Sequence, residues 1–217
     1  PQASVDQFLR EARIAAAVQH RNVIHTVDFG TTDDGIPYMV MELLHGADLK
    51  TVFGALSRRR APLDPLAVAA LGVGVAQGLG YAHRKRGLDG RPLGIVHRDV
   101  TPHNVFVTRE GAVKVLDFGI AKSADQVQST RSGVVKGKVP YMSPEQIRGA
   151  VLDGRSDLFG LGVVLWELAT ARRLFQRPTE VLSLQAVLDA PVEPPSRHAP
   201  GFPPELERII LRALCRD

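Results

Sequence analysis

Apolar residues recur at three- and four-residue spacing through residues 4 to 19, SVDQFLREARIAAAVQ, which predicts a helix with Ser4 as its cap. The pattern then changes. VIHTVDFGTTDDGIPYMVMELL, residues 23 to 44, predicts two strands around a turn at Asp33-Asp34-Gly35. From Pro65 to about Arg84 a helix built from Ala, Gly and Leu is expected, followed by RGLDGRPLG, a loop or small hairpin turning at Asp89-Gly90. NVFVT, the turn REG and AVKVL, residues 104 to 116, form a short β-hairpin. Residues 119 to 144 have no clear period and read as a long loop, which in a compact domain is usually functional. SDLFGLGVVLWELAT, residues 156 to 170, is apolar nearly all round and belongs in a core, where Trp166 also falls most simply. By composition DAPVEPPSRHAPGFPPE could be an interdomain linker, but the helical PPELERIILRAL follows at once with Pro at its start, so it reads as a loop within one domain. There is no internal repeat. A strand-containing start and a helical body give an α+β class.

Composition narrows the function. With 217 residues the chain can bury one large core or two small ones. The 27 basic and 23 acidic residues leave +4, which suits anionic ligands such as nucleotides but is too dilute to argue for nucleic acid without a clustered patch. The densest cluster, Arg58-Arg59-Arg60, reads as a solvated loop. The single cysteine, Cys215, excludes an intramolecular disulfide and a Cys-rich zinc site; it fits a reducing compartment and reads as a small packed residue. No run reaches the ~18 apolar residues of a membrane span: PLAVAALGVGVA is short, and Glu167 interrupts LFGLGVVLWELATA. GVGVAQG, with Gly72, Gly74 and Gly78, imitates a dinucleotide fingerprint, but its spacing is off by one and no strand precedes it. Close helix packing is the better reading. His83, His103 and His198 have no metal-ligand spacing and read as structural or solvent-facing. The start at Pro1 and the end at LCRD read as cuts in a longer protein.

The chemistry concentrates in HRDVTPHN, residues 97 to 104. Asn104 follows Asp99 by five positions, and Asp117 leads a DFG tripeptide eighteen positions after Asp99. The hairpin between them would bring Asp117 back beside the loop. Asn104 and Asp117 then offer the two oxygen ligands that magnesium needs, leaving Asp99 to meet an attacking hydroxyl.

HRDVTPHN, DFG and YMSPE at 141 to 145 together resemble the catalytic loop, metal loop and activation-segment end of protein kinases. The chain is most similar to bacterial serine/threonine kinases of the eukaryotic-like, Hanks type. The resemblance implies a two-lobe fold: a partial N-lobe over 1–41 that begins at the family's αC helix, a hinge at 42–48, and a mostly helical C-lobe over 49–217 that lacks its last helices. It implies ATP with Mg²⁺ or Mn²⁺, protein substrates and serine/threonine specificity. It implies a cytoplasmic catalytic domain with no nucleic-acid or membrane contact in this stretch, and a kinase-domain dimer for trans-autophosphorylation. By the same resemblance Glu11 pairs with the phosphate-gripping lysine, Met41 is the gatekeeper, Glu42 and Leu44 face adenine, Asp48 reaches the ribose and Phe106 floors the pocket. His97 packs on Phe118, and Asp157 ties down the backbone of His97 and Arg98; by position alone Asp157 could also be a simple helix-start charge. Glu145 pairs with an arginine expected after Asp217. Arg98 suggests control by phosphorylation of Thr130 or Ser132, with Ser129 third; a loop merely rich in Ser and Thr is the plainer alternative. The glycine-rich loop and the strand lysine of the family are not among these residues, so the polypeptide alone is expected to be inactive.

One departure bears on mechanism. Most serine/threonine kinases carry lysine two residues after the catalytic Asp, and GT before the activation-segment end. Here those positions hold Thr101 and, in GKVPYMSPE, Lys138. The hydroxyl and the amine have changed places, which predicts that Lys138 reaches Thr101 or Asp99 from the opposite wall. The alternative is that Thr101 marks decay toward a pseudokinase that binds partners without catalysis.

Overall fold

The computed structural model describes residues 2–87, 89–118 and 137–216, apart from the side chains of residues 2–4, 6, 7, 10 and 11. Helix α1 runs from Gln2 to Ala17, so Ser4 lies inside the helix rather than at its cap. Strands β1 (Thr26–Thr31) and β2 (Pro37–Met41) pair antiparallel, Thr31 opposite Pro37. Between them the turn closes at Gly35, whose φ of 77° suits a residue without a Cβ. A third strand, β3 (Gly46–Asp48), was not visible in the hydrophobic pattern. It hands directly to α2 (Leu49–Arg59), where Asp48 Oδ1 accepts the Thr51 N–H at 2.8 Å as N-cap. The basic triplet is therefore not a loop. Arg58 and Arg59 occupy the last turn of α2, where cations favour the helix dipole, and Arg60 closes it in the left-handed conformation.

Helix α3 (Pro65–His83) starts on an Asp64 cap with Pro at its first position. Strands β4 (Val105–Thr108) and β5 (Val113–Val115) form the expected hairpin, and β3 adds to it in the order β3-β4-β5. The long loop anticipated over 119–144 is shorter at its end: a 3₁₀ turn covers Val139–Tyr141 and α4 (Pro144–Arg148) begins on a Ser143–Gln146 capping box. Helices α5 (Gly154–Thr170), α6 (Glu180–Asp189) and α7 (Pro204–Ala213) complete the body.

Helix α5 is the spine. Phe159 through Thr170 are buried almost without interruption, and α3, α4 and α7 pack around them. The glycines of α3 permit close packing on other elements: a Cβ on Gly74 would lie 2.7 Å from Val113 Cβ of β5, and one on Gly78 would lie 2.8 Å from the Asn22 carbonyl oxygen. By length and composition α3 is apolar enough to cross a membrane, which the shorter runs read from the sequence did not suggest. It is placed here as a core helix, with Val68, Val75, Leu79 and Ala82 buried. Cys215 is exposed, not packed as expected, because it follows the last turn of α7.

Candidate active site

The catalytic-loop sequence is held from below by α5. Asp157 is buried; its Oδ2 accepts the His97 N–H and its Oδ1 the Arg98 N–H, both at 2.8 Å. Two adjacent N–H groups on one carboxylate keep Arg98 at φ 65°, a left-handed conformation that costs a non-glycine residue about 1–2 kcal/mol. His83, at the end of α3, adds its Nε2 at 2.7 Å from the same Oδ2.

His97 is fully buried and works in both directions. Its Nδ1 accepts the Asp99 N–H at 3.2 Å, which places the ring proton on Nε2, where it donates to the Leu116 carbonyl at 2.7 Å. Its ring also packs against Phe118, centroids 4.7 Å apart. One side chain thus joins the Asp99 loop to the Asp117-Phe118 segment. Asn104 ends the 3₁₀ turn Pro102–Asn104 and donates from Nδ2 to the Asp99 carbonyl (2.8 Å) and to Asp99 Oδ2 (3.0 Å). Those bonds fix the amide, so its Oδ1 is the oxygen offered outward. The Leu116 N–H donates to the Asn104 carbonyl at 2.8 Å, and Asp117 follows at φ 42°.

Lys138 stands at the start of the Val139–Tyr141 turn, and its Nζ lies 2.5 Å from Asp99 Oδ2. Thr101 Oγ1 is buried without a hydrogen-bond partner among the described residues. Of the two contacts anticipated for Lys138, the one to Asp99 is present. The turn itself is anchored through Tyr141, whose hydroxyl donates to Glu167 Oε2 at 2.8 Å. Glu145 Oε1 accepts the Ser156 hydroxyl at 2.5 Å, and Gln146 Nε2 donates to the Arg98 carbonyl at 2.7 Å, so α4 is also tied to the catalytic loop.

A protein kinase domain model matches residues 2–217. The chain belongs to the protein kinase family. It is 42% identical to Tyrosine-protein kinase MasK of Myxococcus xanthus (strain DK1622) over 97% of its own length and 32% of that protein. It is 35% identical to Serine/threonine-protein kinase PknB of Mycobacterium leprae (strain TN), covering 97% of this chain and 33% of the relative. With Serine/threonine-protein kinase PrkC of Bacillus subtilis (strain 168) it shares 35% identity over 98% of this chain and 31% of the relative. The chain thus spans about a third of the length of the curated relatives it matches.

Protein kinases in general use ATP and a divalent metal, and the donor set here fits such an ion. An amide oxygen of Asn104 and the carboxylate of Asp117 are hard ligands of the kind magnesium shares with substrate phosphates. Among the residues expected to border a nucleotide, Met41 ends β2, and the Glu42 N–H donates to the His25 carbonyl at 3.0 Å. Glu42 Oε1 accepts the His25 N–H at 2.8 Å and Lys114 Nζ at 2.6 Å. Burial acts to raise the Glu42 pKa, but Lys114 and the His25 N–H outweigh it, leaving the group below its ordinary value. Leu44 follows, half-buried. Asp48 pairs across the sheet with Phe106, and its carboxyl sits below the usual range: burial opposes this, and the Thr51 hydrogen bonds prevail.

Glu11 lies on α1, but its side chain is outside the described residues, as are Ser129, Thr130 and Ser132 altogether. Three supporting residues escaped the sequence reading. His83 looked like a lone structural histidine, and its tie to Asp157 has no local signal. Lys114, inside the AVKVL strand, was not singled out. Glu167 did carry a signal, as the one charge inside the apolar run of α5 beyond its first turn.

Proposed function

We propose that this chain is the catalytic part of an ATP-dependent kinase that phosphorylates serine and threonine hydroxyls on protein substrates. The observation that carries the reading is the Lys138 ammonium 2.5 Å from Asp99 Oδ2, a cation brought to the carboxylate from the opposite wall. Asp99 orients the attacking hydroxyl and accepts its proton. Lys138 balances the charge that builds on the carboxylate and on the phosphoryl oxygens. Asn104 Oδ1 and the Asp117 carboxylate hold magnesium, and manganese suits the same oxygens. The metal, when bound, neutralises phosphate charge and orients the transferring group. His97 and Asp157 keep the loop in register from beneath.

Met41, Glu42 and Leu44 border the adenine, Asp48 reaches the ribose and Phe106 floors the pocket. Glu11, on α1, orients a phosphate-binding lysine. A phosphate on Thr130, Ser132 or Ser129 pairs with Arg98, whose Nε is buried without a partner among the described residues. Two copies of the whole protein exchange that phosphate on the cytoplasmic side.

The test uses the full-length protein with ATP, magnesium and a generic basic protein substrate, followed by phosphoamino-acid analysis. The wild type is expected to yield phosphoserine and phosphothreonine, and Asp99→Asn to lose roughly 10²–10⁴ of the rate. Phosphotyrosine alone would overturn the hydroxyl specificity in favour of the activity named for MasK. No transfer by the wild type would replace the enzyme with a binding scaffold.

A further inference from the structure

The Val139–Tyr141 turn that presents Lys138 is only three residues long and has little stability of its own. What fixes it is a buried polar cluster. Glu167 is fully buried in α5; its Oε2 accepts the Tyr141 hydroxyl and Arg173 Nη1, both at 2.8 Å, and its Oε1 accepts the Leu174 N–H at 3.2 Å. Arg173 Nη1 also donates to the Tyr141 hydroxyl oxygen. Burial pushes the Glu167 carboxyl up, and Arg173 opposes this. Arg173 reaches a third element as well. Its guanidinium lies over the Phe53 ring of α2, 4.1 Å from the centroid, and α2 packs against the Pro102–Asn104 turn that ends in Asn104.

Arg173 therefore touches the wall that carries Lys138 and, through Phe53, the wall that carries Asp99 and Asn104. We infer that Arg173 is a positioning residue, which bridges Tyr141–Glu167 and Phe53 and so sets the distance between Lys138 and Asp99. The inference rests on Lys138 acting at Asp99. The contacts of Arg173 run to Glu167, Tyr141 and Phe53, so it acts through the turn. Lysine is a poor replacement, because it lacks the planar guanidinium whose carbon lies over Phe53 while Nη1 bonds both Glu167 and Tyr141.

The experiment is a double-mutant cycle in the full-length protein with Arg173→Met and Lys138→Met, reading kcat and the KM for ATP. A parallel measurement follows labelling of Lys138 by an amine-reactive ester, read by mass spectrometry, which needs no activity. Arg173→Met is expected to lower kcat about 10- to 100-fold, as a misplacement near 1 Å does, with the KM for ATP held within about twofold. In the Lys138→Met background it should lower kcat no further, and it should speed Lys138 labelling. The neutral pair Glu167→Gln/Arg173→Met, which leaves no buried unpaired charge, should fold and behave the same way. Equal losses in both backgrounds, or unchanged Lys138 labelling in a folded Arg173 variant, overturn the inference. Lys138→Met with wild-type kcat overturns instead the reading beneath it.

Discussion

Lys138→Thr removes the only cation among the described residues within hydrogen-bond reach of the Asp99 carboxylate. The contact spans 2.5 Å, with Asp99 about nine-tenths buried and the Lys138 side chain 41% exposed. At that depth the local dielectric lies between the protein and the solvent limits. Unit charges at ~4 Å are worth about 4 kcal/mol at an effective dielectric of 20 and about 1 kcal/mol in water. The partial exposure of Lys138 places the loss between those figures. That range overlaps the ~3 kcal/mol, or 10²–10³ in kcat, found when one preorganised charge-stabilising donor is lost. The full-length Lys138→Thr protein should therefore lose about 10²-fold in kcat with little change in ATP affinity, measured by initial rates of phosphate incorporation at saturating ATP. The exchange Thr101→Lys/Lys138→Thr should recover at least about tenfold over the single variant, because it restores one cation beside one hydroxyl. A folded Lys138→Thr protein with wild-type kcat would refute the electrostatic reasoning. So would a double variant no faster than the single one.

Three further outcomes follow from the same geometry. Asp157→Ala leaves the His97 and Arg98 N–H groups without their acceptor and should destabilise the fold by about 1–3 kcal/mol for each, read from the urea midpoint. Gly74→Ala places a Cβ 2.7 Å from Val113 Cβ, and should lower stability by roughly 1–3 kcal/mol in the same assay; no change would mean that α3 can shift freely on the hairpin. The Glu42 carboxyl, held below its ordinary value chiefly by Lys114 against the pull of burial, contributes stability that is present above its unfolded pKa and lost as pH falls through the folded one. Thermal unfolding should therefore separate wild type from Lys114→Met near pH 6, and the gap should close toward about pH 3.

The chain announced its body more clearly than its joints. Long periodic runs such as α3 and α5 were legible because burial of one face or of the whole helix writes itself into the hydrophobic pattern. β3 and α2 were not: Gly46–Asp48 is too short for any period, and the α2 start depends on the Asp48 cap rather than on apolar spacing. In the site, Asp99 and Asn104 share one short loop, and the local hairpin brings Leu116, the neighbour of Asp117, onto the Asn104 carbonyl, which is why this part was legible. His83 reaches Asp157 across 74 residues, a contact that leaves no mark in sequence order, and Glu167 stood out as a charge in an apolar run without showing that its partners would be Tyr141 and Arg173. Lys138 was the exception, found because a missing charge at Thr101 asked where a charge had gone.

Thr101 is 2% exposed, and that burial restricts how these two positions can change over time. A lysine arriving at 101 while Lys138 remains would crowd two ammonium groups against one carboxylate in a tight space. A threonine arriving at 138 first would leave the carboxylate bare. Both single steps cross a fitness valley, so the two positions should behave as one inherited unit. A lineage that adopted Thr101 together with Lys138 leaves that combination by paired substitution rather than by single steps.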